Sequence, residues 1–295
     1  MQILLTGKSG QVGFELQRSL APLGAVVAVG AKEVDLADAD AIRHWIRRIK
    51  PDVIVNPAAY TAVDKAESES ELAYAINAVA PGVIGEEAQR LGALVVHYST
   101  DYVFDGHRVS AYLETDPTDP QSVYGASKRE GELALQEAVS RHLILRTSWV
   151  VGAHGNNFAK TMLRLAAERD KLAVVADQWG APTSAALLAD VTAQLIRQWW
   201  REASNSFPYG LYHVVAGGET NWCDYARFVI AEAVASGKSL HVAPEAIEAI
   251  TSADYPTPAR RPANSRLDTQ KFRDTFGLAL PHWQQGLFHI LQQIL

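Results

Sequence analysis

The chain has 295 residues, 48% of them hydrophobic and 20% charged, so it is long enough for one large domain or two joined lobes and unlike a disordered or fibrous protein. Its 33 acidic and 27 basic residues leave a net charge of −6, which argues against nonspecific nucleic-acid binding, because the phosphate backbone attracts cations. Cys223 is the one cysteine, which excludes an internal disulfide or a thiolate metal cluster and fits a reducing cytoplasm.

The opening MQILLTGKSG lacks a basic region followed by a long apolar stretch, so it reads as a first strand rather than a signal peptide. No apolar run approaches the roughly 20 residues that span a bilayer. Strands are predicted at 2–6, 25–30, 52–58, 93–100 and 142–149, and helices at 11–21, 38–49, 70–91 and 124–139. Apolar strands alternating with helical periods imply a doubly wound parallel sheet, an α/β fold of the Rossmann type. Beyond Trp149 the alternation loosens into a helix at 157–169, a strand at 172–176, a helix at 185–202 and a strand at 210–215. This suggests a dinucleotide-binding domain over 1–150, to which 185–215 returns, and a smaller mixed substrate-binding lobe over 151–295. Two further helices are expected in the last eighty residues, beside an ordered loop, YPTPARRPANSRL.

GKSGQVG, with glycines at Gly7, Gly10 and Gly13, follows the first strand and opens a helix. Glycine permits close backbone approach, and a helix N-terminus offers free amides and partial positive charge to a pyrophosphate. At the end of the second strand, Gly30 stands where an acid would bind the adenosine ribose of NADH, and Lys32 is close enough to meet a 2′-phosphate. These residues favour NADPH, with NADH possible.

In SVYGASK, Tyr124 and Lys128 lie four residues apart on one helical face. A nearby ammonium would lower the phenol pKa from about 10 and let it act as an acid at neutral pH. Thr100 ends the fourth strand, where open parallel sheets gather ligand-binding groups, and its hydroxyl could bond the same carbonyl oxygen. The nine histidines form no HExxH or comparable cluster.

The set GKSGQVG, STDYVFDG and YGASK resembles the extended short-chain dehydrogenases/reductases that act on nucleotide sugars. VNPAAYTAVDKAE, HYSTDYVFDG, LRTSWVVG, GNNFAKTML, DQWGAPT and RPANSRLDT narrow the resemblance to the dTDP-4-dehydrorhamnose reductase family along nearly the whole chain. It implies NAD(P)H-dependent reduction of the C4 ketone of a dTDP-linked 4-keto sugar, in dTDP-rhamnose biosynthesis. Tyr124 would be the proton donor, Lys128 its modulator and a ribose ligand, and Thr100 the carbonyl's partner. Gln11 and Val12, with Gly10, would meet the pyrophosphate; Asp35 and Leu36 would border the adenine; Ala59, Tyr60, Thr61 and Tyr98 would line the cofactor groove. Asp101 and Trp149 would contact the sugar, and Arg261 and Asn264 the dTDP end. Some relatives hold magnesium with three glutamates, but here Glu15 is joined by Ala186 and Gln293, so no metal is expected and the chain could be a monomer or a homodimer. The related dehydratases place Asp-Glu after the threonine, where this chain has Asp101 and Tyr102. A dinucleotide-binding regulatory subunit like the β subunit of methionine adenosyltransferase, or another nucleotide-sugar reductase or epimerase, is the alternative.

Overall fold

The computed structural model describes residues 1–202 and 206–295. The chain begins β1 (Gln2–Leu5), α1 (Gln11–Leu20), β2 (Ala25–Ala28), α2 (Ala39–Ile49) and β3 (Val53–Asn56). The short α3 (Val63–Ala66) and α4 (Ser70–Tyr74) lead through a π turn, Ala75–Val79, into α5 (Ala80–Leu91). Next come β4 (Leu94–Thr100), α6 (Val123–Ala138), β5 (His142–Thr147), β6 (Val150–Val151) and α7 (Phe158–Glu168). β7 (Leu172–Val175), β8 (Trp179–Gly180), β9 (Thr183–Ser184), α8 (Ala185–Arg201), β10 (Gly210–His213) and β11 (Thr220–Asn221) follow. The chain closes with α9 (Trp222–Ala235), β12 (Ile247–Ile250), α10 (Gln270–Phe276) and α11 (Trp283–Ile294).

Six parallel strands form the sheet in the order β10-β5-β4-β3-β1-β2. β3 and β4 are buried along their whole length, as a strand covered on both faces must be. Leu16 and Leu20 of α1, Leu188 and Leu195 of α8, and Phe272 and Phe276 of α10 cover one face. Ile42 and Ile46 of α2, Ile84 and Ala88 of α5, and Leu135 of α6 cover the other. The strand order reverses between β1 and β3, so the connections leaving their C-terminal ends part to opposite faces and open a crevice. A second apolar cluster, from α7, β7, α9, β12 and α11, forms the smaller lobe.

Local chemistry sets most boundaries. The Asp38 carboxylate accepts from the Asp40 and Ala41 amides to start α2, and the Ser122 hydroxyl accepts from the Gly125 amide to start α6. The helix predicted at 70–91 is instead interrupted by the π turn, a register change that apolar periodicity does not reveal. The fifth strand stops at Thr147, short of the predicted 149, because Trp149 turns the backbone left-handed (φ 49°). The last eighty residues carry α9 and α11 as the two expected helices and also the seven-residue α10, too short to announce itself by period.

Candidate active site

The glycine turn closes tightly between β1 and α1. A Cβ on Gly13 would lie 2.0 Å from the Gly7 carbonyl oxygen, and Gly7 itself has a φ of 61° beside Ala58. No side chain caps α1 at Gly10, so its first-turn amides are left for an anion. The turn forms one end of a groove of about 540 Å³ at the switch point. Gly7, Gly10, Gln11, Val12 and Gly13 line this end; Asp35 and Leu36 line the far side under β2; Ala59, Thr61 and Tyr98 line the middle. Tyr124 and Lys128 reach the inner end.

Several predicted contacts lie elsewhere. The Tyr60 hydroxyl points outward and donates to Glu69, while its backbone amide donates to Asn77 Oδ1 at 2.8 Å. Tyr98 lines the groove, but its hydroxyl is bonded to Thr192 of α8 (2.5 Å). Lys32 is exposed and off the groove wall. The cation over Gly30 is Lys8, from the glycine turn, whose Nζ sits 2.8 Å from Glu33; that carboxylate also accepts from the Gly30 amide at 2.8 Å. Glu33 thus returns an acid to the place where sequence position shows Gly30.

At the inner end, the Tyr124 phenol faces the Thr100 hydroxyl. Burial pushes Tyr124 up to about 12, the Thr100 hydrogen bond only partly opposing it. The expected depression by Lys128 is absent, because the ammonium is engaged elsewhere: Nζ donates to the Tyr98 carbonyl at 2.7 Å and lies 3.3 Å from His97 Nε2. Thr100 accepts from the Tyr102 amide, and its one proton has two acceptors in reach, Asp101 Oδ1 at 3.1 Å and the Tyr124 oxygen. Burial pushes the Asp101 carboxyl up to about 6, against hydrogen bonds from Ser265 and Thr100, and its Oδ2 lacks a donor of good geometry.

The sugar and nucleotide residues are more scattered. Trp149, held at positive φ, stacks on Trp222 (3.8 Å between centroids), and Trp222 lines a second cleft of about 1150 Å³ in the smaller lobe. Arg261, Arg260, Arg169 and Lys171 line the same cleft, Arg261 being paired with Asp64 at 3.0 Å. Asn264 is buried and fully used: its amide donates to the Arg108 and Ser110 carbonyls and its oxygen accepts from Arg266. It pins the loop that carries Arg108 and Ser110. Glu15 pairs with Arg18, which also reaches Asp190 at 3.0 Å. Among the described residues no three acids, histidines or cysteines group to hold a metal.

Sequence reasoning missed His97 and Asn56 behind Lys128, Glu132 bound bidentately to Arg146 (2.8 and 2.6 Å), and Asn77, whose amide joins the Tyr60 carbonyl to Ser127 on α6. Their one signal was a polar residue inside an apolar strand or helix face.

The family described as RmlD substrate binding domain matches residues 1–295. A dTDP-4-dehydrorhamnose reductase of Shigella flexneri is 52% identical over 298 residues, which cover 100% of this chain and 98% of that protein. The crystal structure of a dTDP-4-dehydrorhamnose reductase from Clostridium acetobutylicum is 36% identical and superposes with a TM-score of 0.90 over 99% of both chains. That of the Bacillus anthracis reductase in complex with NADP is 34% identical, with a TM-score of 0.89 over 99% of both. With the groove, the phenol and the ammonium set out as above, these likenesses over its full length show that the chain belongs to the dTDP-4-dehydrorhamnose reductase family.

Proposed function

We propose that the chain uses NADPH, or NADH in its place, to reduce the C4 ketone of dTDP-4-dehydro-β-L-rhamnose to dTDP-L-rhamnose. The observation that carries this reading is that Tyr124, hydrogen-bonded to Thr100, and Lys128 line the inner end of a groove whose outer end suits a pyrophosphate. The uncapped amides of α1 and the cradle that a Cβ at Gly13 would fill suit a dinucleotide. When bound, the cofactor supplies a hydride to the ketone carbon.

The chain's own groups do the rest. Tyr124, protonated at neutral pH, donates its hydroxyl proton to the ketone oxygen, leaving an alcohol. Lys128 would hold the nicotinamide ribose, and its ammonium would stabilise the phenolate so formed by charge attraction. Thr100 steadies the carbonyl once its proton is released from Asp101, whose unpaired Oδ2 is suited to a sugar hydroxyl. Trp149 forms the apolar wall of the sugar site, its strained backbone fixed by the stack on Trp222. The basic cleft around Arg260 and Arg261 suits the diphosphate and base of the dTDP moiety.

Among the described residues no helix is long and apolar enough to cross a membrane, and a cytoplasmic setting with a water-soluble nucleotide sugar belongs to this reading. The test is NADPH absorbance upon addition of the 4-keto sugar nucleotide, with the product identified as the rhamnoside. Tyr124→Phe is expected to cut turnover by about 10² to 10⁴ while leaving NADPH affinity within about a factor of two. Undiminished turnover in that variant removes Tyr124 as the acid.

A further inference from the structure

The hydrogens behind Lys128 do not fit as the side chains stand. Lys128 is buried, with Nζ bonded to the Tyr98 carbonyl and 3.3 Å from His97 Nε2. His97, buried on β4, has Nδ1 3.1 Å from the side-chain amide of Asn56 on β3, and the Asn56 oxygen lies 2.5 Å from the Thr6 hydroxyl just past β1. With the Asn56 nitrogen toward the ring, Nδ1 accepts, and a neutral imidazole then carries its proton on Nε2, aimed at the ammonium. Two donors would face each other in a dry site, each without an acceptor there. An amide's oxygen and nitrogen are isosteric, so turning Asn56 over keeps every heavy atom in place. Its oxygen then accepts Nδ1–H, its nitrogen donates to Thr6, and Nε2 offers a lone pair to Lys128.

We propose that His97 is a positioning residue for Lys128: the Asn56 carbonyl holds it as the Nδ1–H tautomer, so that Nε2 accepts from the ammonium and keeps it charged and aimed at the groove. The row from Thr6 through Asn56 and His97 crosses the three strands of the switch region and ends on α6, so the sheet itself sets the lysine's direction. Other ionisable groups near Lys128 come from each packed element. Glu132 follows one turn later on α6 and is held by Arg146 of β5; Tyr124 precedes on α6; the Tyr98 phenol is turned away toward Thr192; Asp101, after β4, bonds Thr100. None of these bonds Nζ, whose hydrogen-bond partners among the described residues are His97 and the Tyr98 carbonyl. Burial brings Lys128 down to about 8, with Glu132 opposing, while burial and the adjoining ammonium hold His97 well below its ordinary value. The ring is therefore neutral over the whole range in which the lysine titrates.

Nitrogen-15 NMR of the histidine-labelled wild-type protein reads the tautomer without turnover, the His97 signals being those lost in His97→Gln or His97→Asn. A proton on Nδ1 and none on Nε2 from about pH 6 to pH 9 is expected; a proton on Nε2, alone or with Nδ1, overturns the proposal. The kinetic arm rests on the reductase reading. His97→Phe removes the acceptor and is expected to move the alkaline limb of the kcat profile down by about one pH unit, tenfold in proton affinity. His97→Gln, whose amide oxygen can accept, is expected to restore the limb, which a merely packed ring would not do. A limb that stays in place in His97→Phe also overturns the proposal. If the wild type reduces no 4-keto sugar, the functional reading fails while the tautomer still decides this one.

Discussion

Desolvation, rather than charge pairing, dominates the ionisable residues at the inner end of the groove. It raises Tyr124, which suits a proton donor that must be loaded before the ketone arrives. It also raises Asp101 to about 6, with a consequence for stability. The unfolded carboxyl titrates near 3.9, so between about pH 4 and 6 the folded chain binds more protons, and stability falls as pH rises through that window. Asp101→Asn is expected to flatten this slope and to be more stable than wild type above pH 6, by on the order of 2 kcal/mol, in melting curves recorded across the range. Parallel curves for the two proteins would show that the carboxyl is not raised. At the adenosine end Lys8 packs over Gly30 and pairs with Glu33 while Lys32 is in solvent, so Lys8 is the cation we propose for the 2′-phosphate. Lys8→Ala should raise the NADPH KM roughly fivefold relative to NADH, the worth of a half-exposed ion pair of about 1 kcal/mol, and Lys32→Ala should change neither. Equal losses for both cofactors would reject the 2′-phosphate role of Lys8.

Among the elements, α6 carries the chemistry, and its position depends on what presses against it. Gly131 lets the helix meet the π turn so closely that a Cβ would come within 1.9 Å of the Asn77 carbonyl oxygen. Asn77 in turn ties the 57–61 loop to Ser127, so the π turn, the groove's wall and the catalytic helix share one contact. Gly131→Ala is expected to cost about 1–3 kcal/mol in chemical denaturation and to weaken cofactor binding, as overpacking at a backbone contact does. A variant as stable as wild type would show that α6 can shift freely. The alternation of short apolar strands and helical periods was legible for β1 to β5 because such elements are defined by neighbours in sequence. The π turn and α10 were not, because each depends on a tertiary partner: the backbone of α6 for one, the sheet's underside for the other.

Across the whole molecule, the glycine turn is fastened to the segment that leads into the smaller lobe. Gln11 donates to the Val150 carbonyl at 3.2 Å, and its oxygen accepts from the Gly152 amide at 2.8 Å and from Asn157 at 3.0 Å. His154 reaches the Ser9 carbonyl and stacks on Phe14 across the same seam. Gln11→Ala should therefore raise the KM for both cofactor and sugar nucleotide and lower the melting temperature, since partly buried backbone groups lose a partner worth about 1–3 kcal/mol. A change confined to the cofactor KM would mean that the strut does not couple the two sites.

The sequence by itself determined the parallel α/β sheet, the glycine turn, the placement of Tyr124 and Lys128 on one helical face and Thr100 at the end of its strand, because each is written in local spacing: a period, a turn or one helical face. Tertiary structure alone decided which cation stands over Gly30, that the Asn264 amide is spent on a loop, that the Glu33 carboxylate caps the Gly30 amide, and that His97 backs Lys128. Those outcomes depend on distances between strands and loops far apart in the chain and on burial, which fixes the charge a group can keep, and no local pattern encodes either.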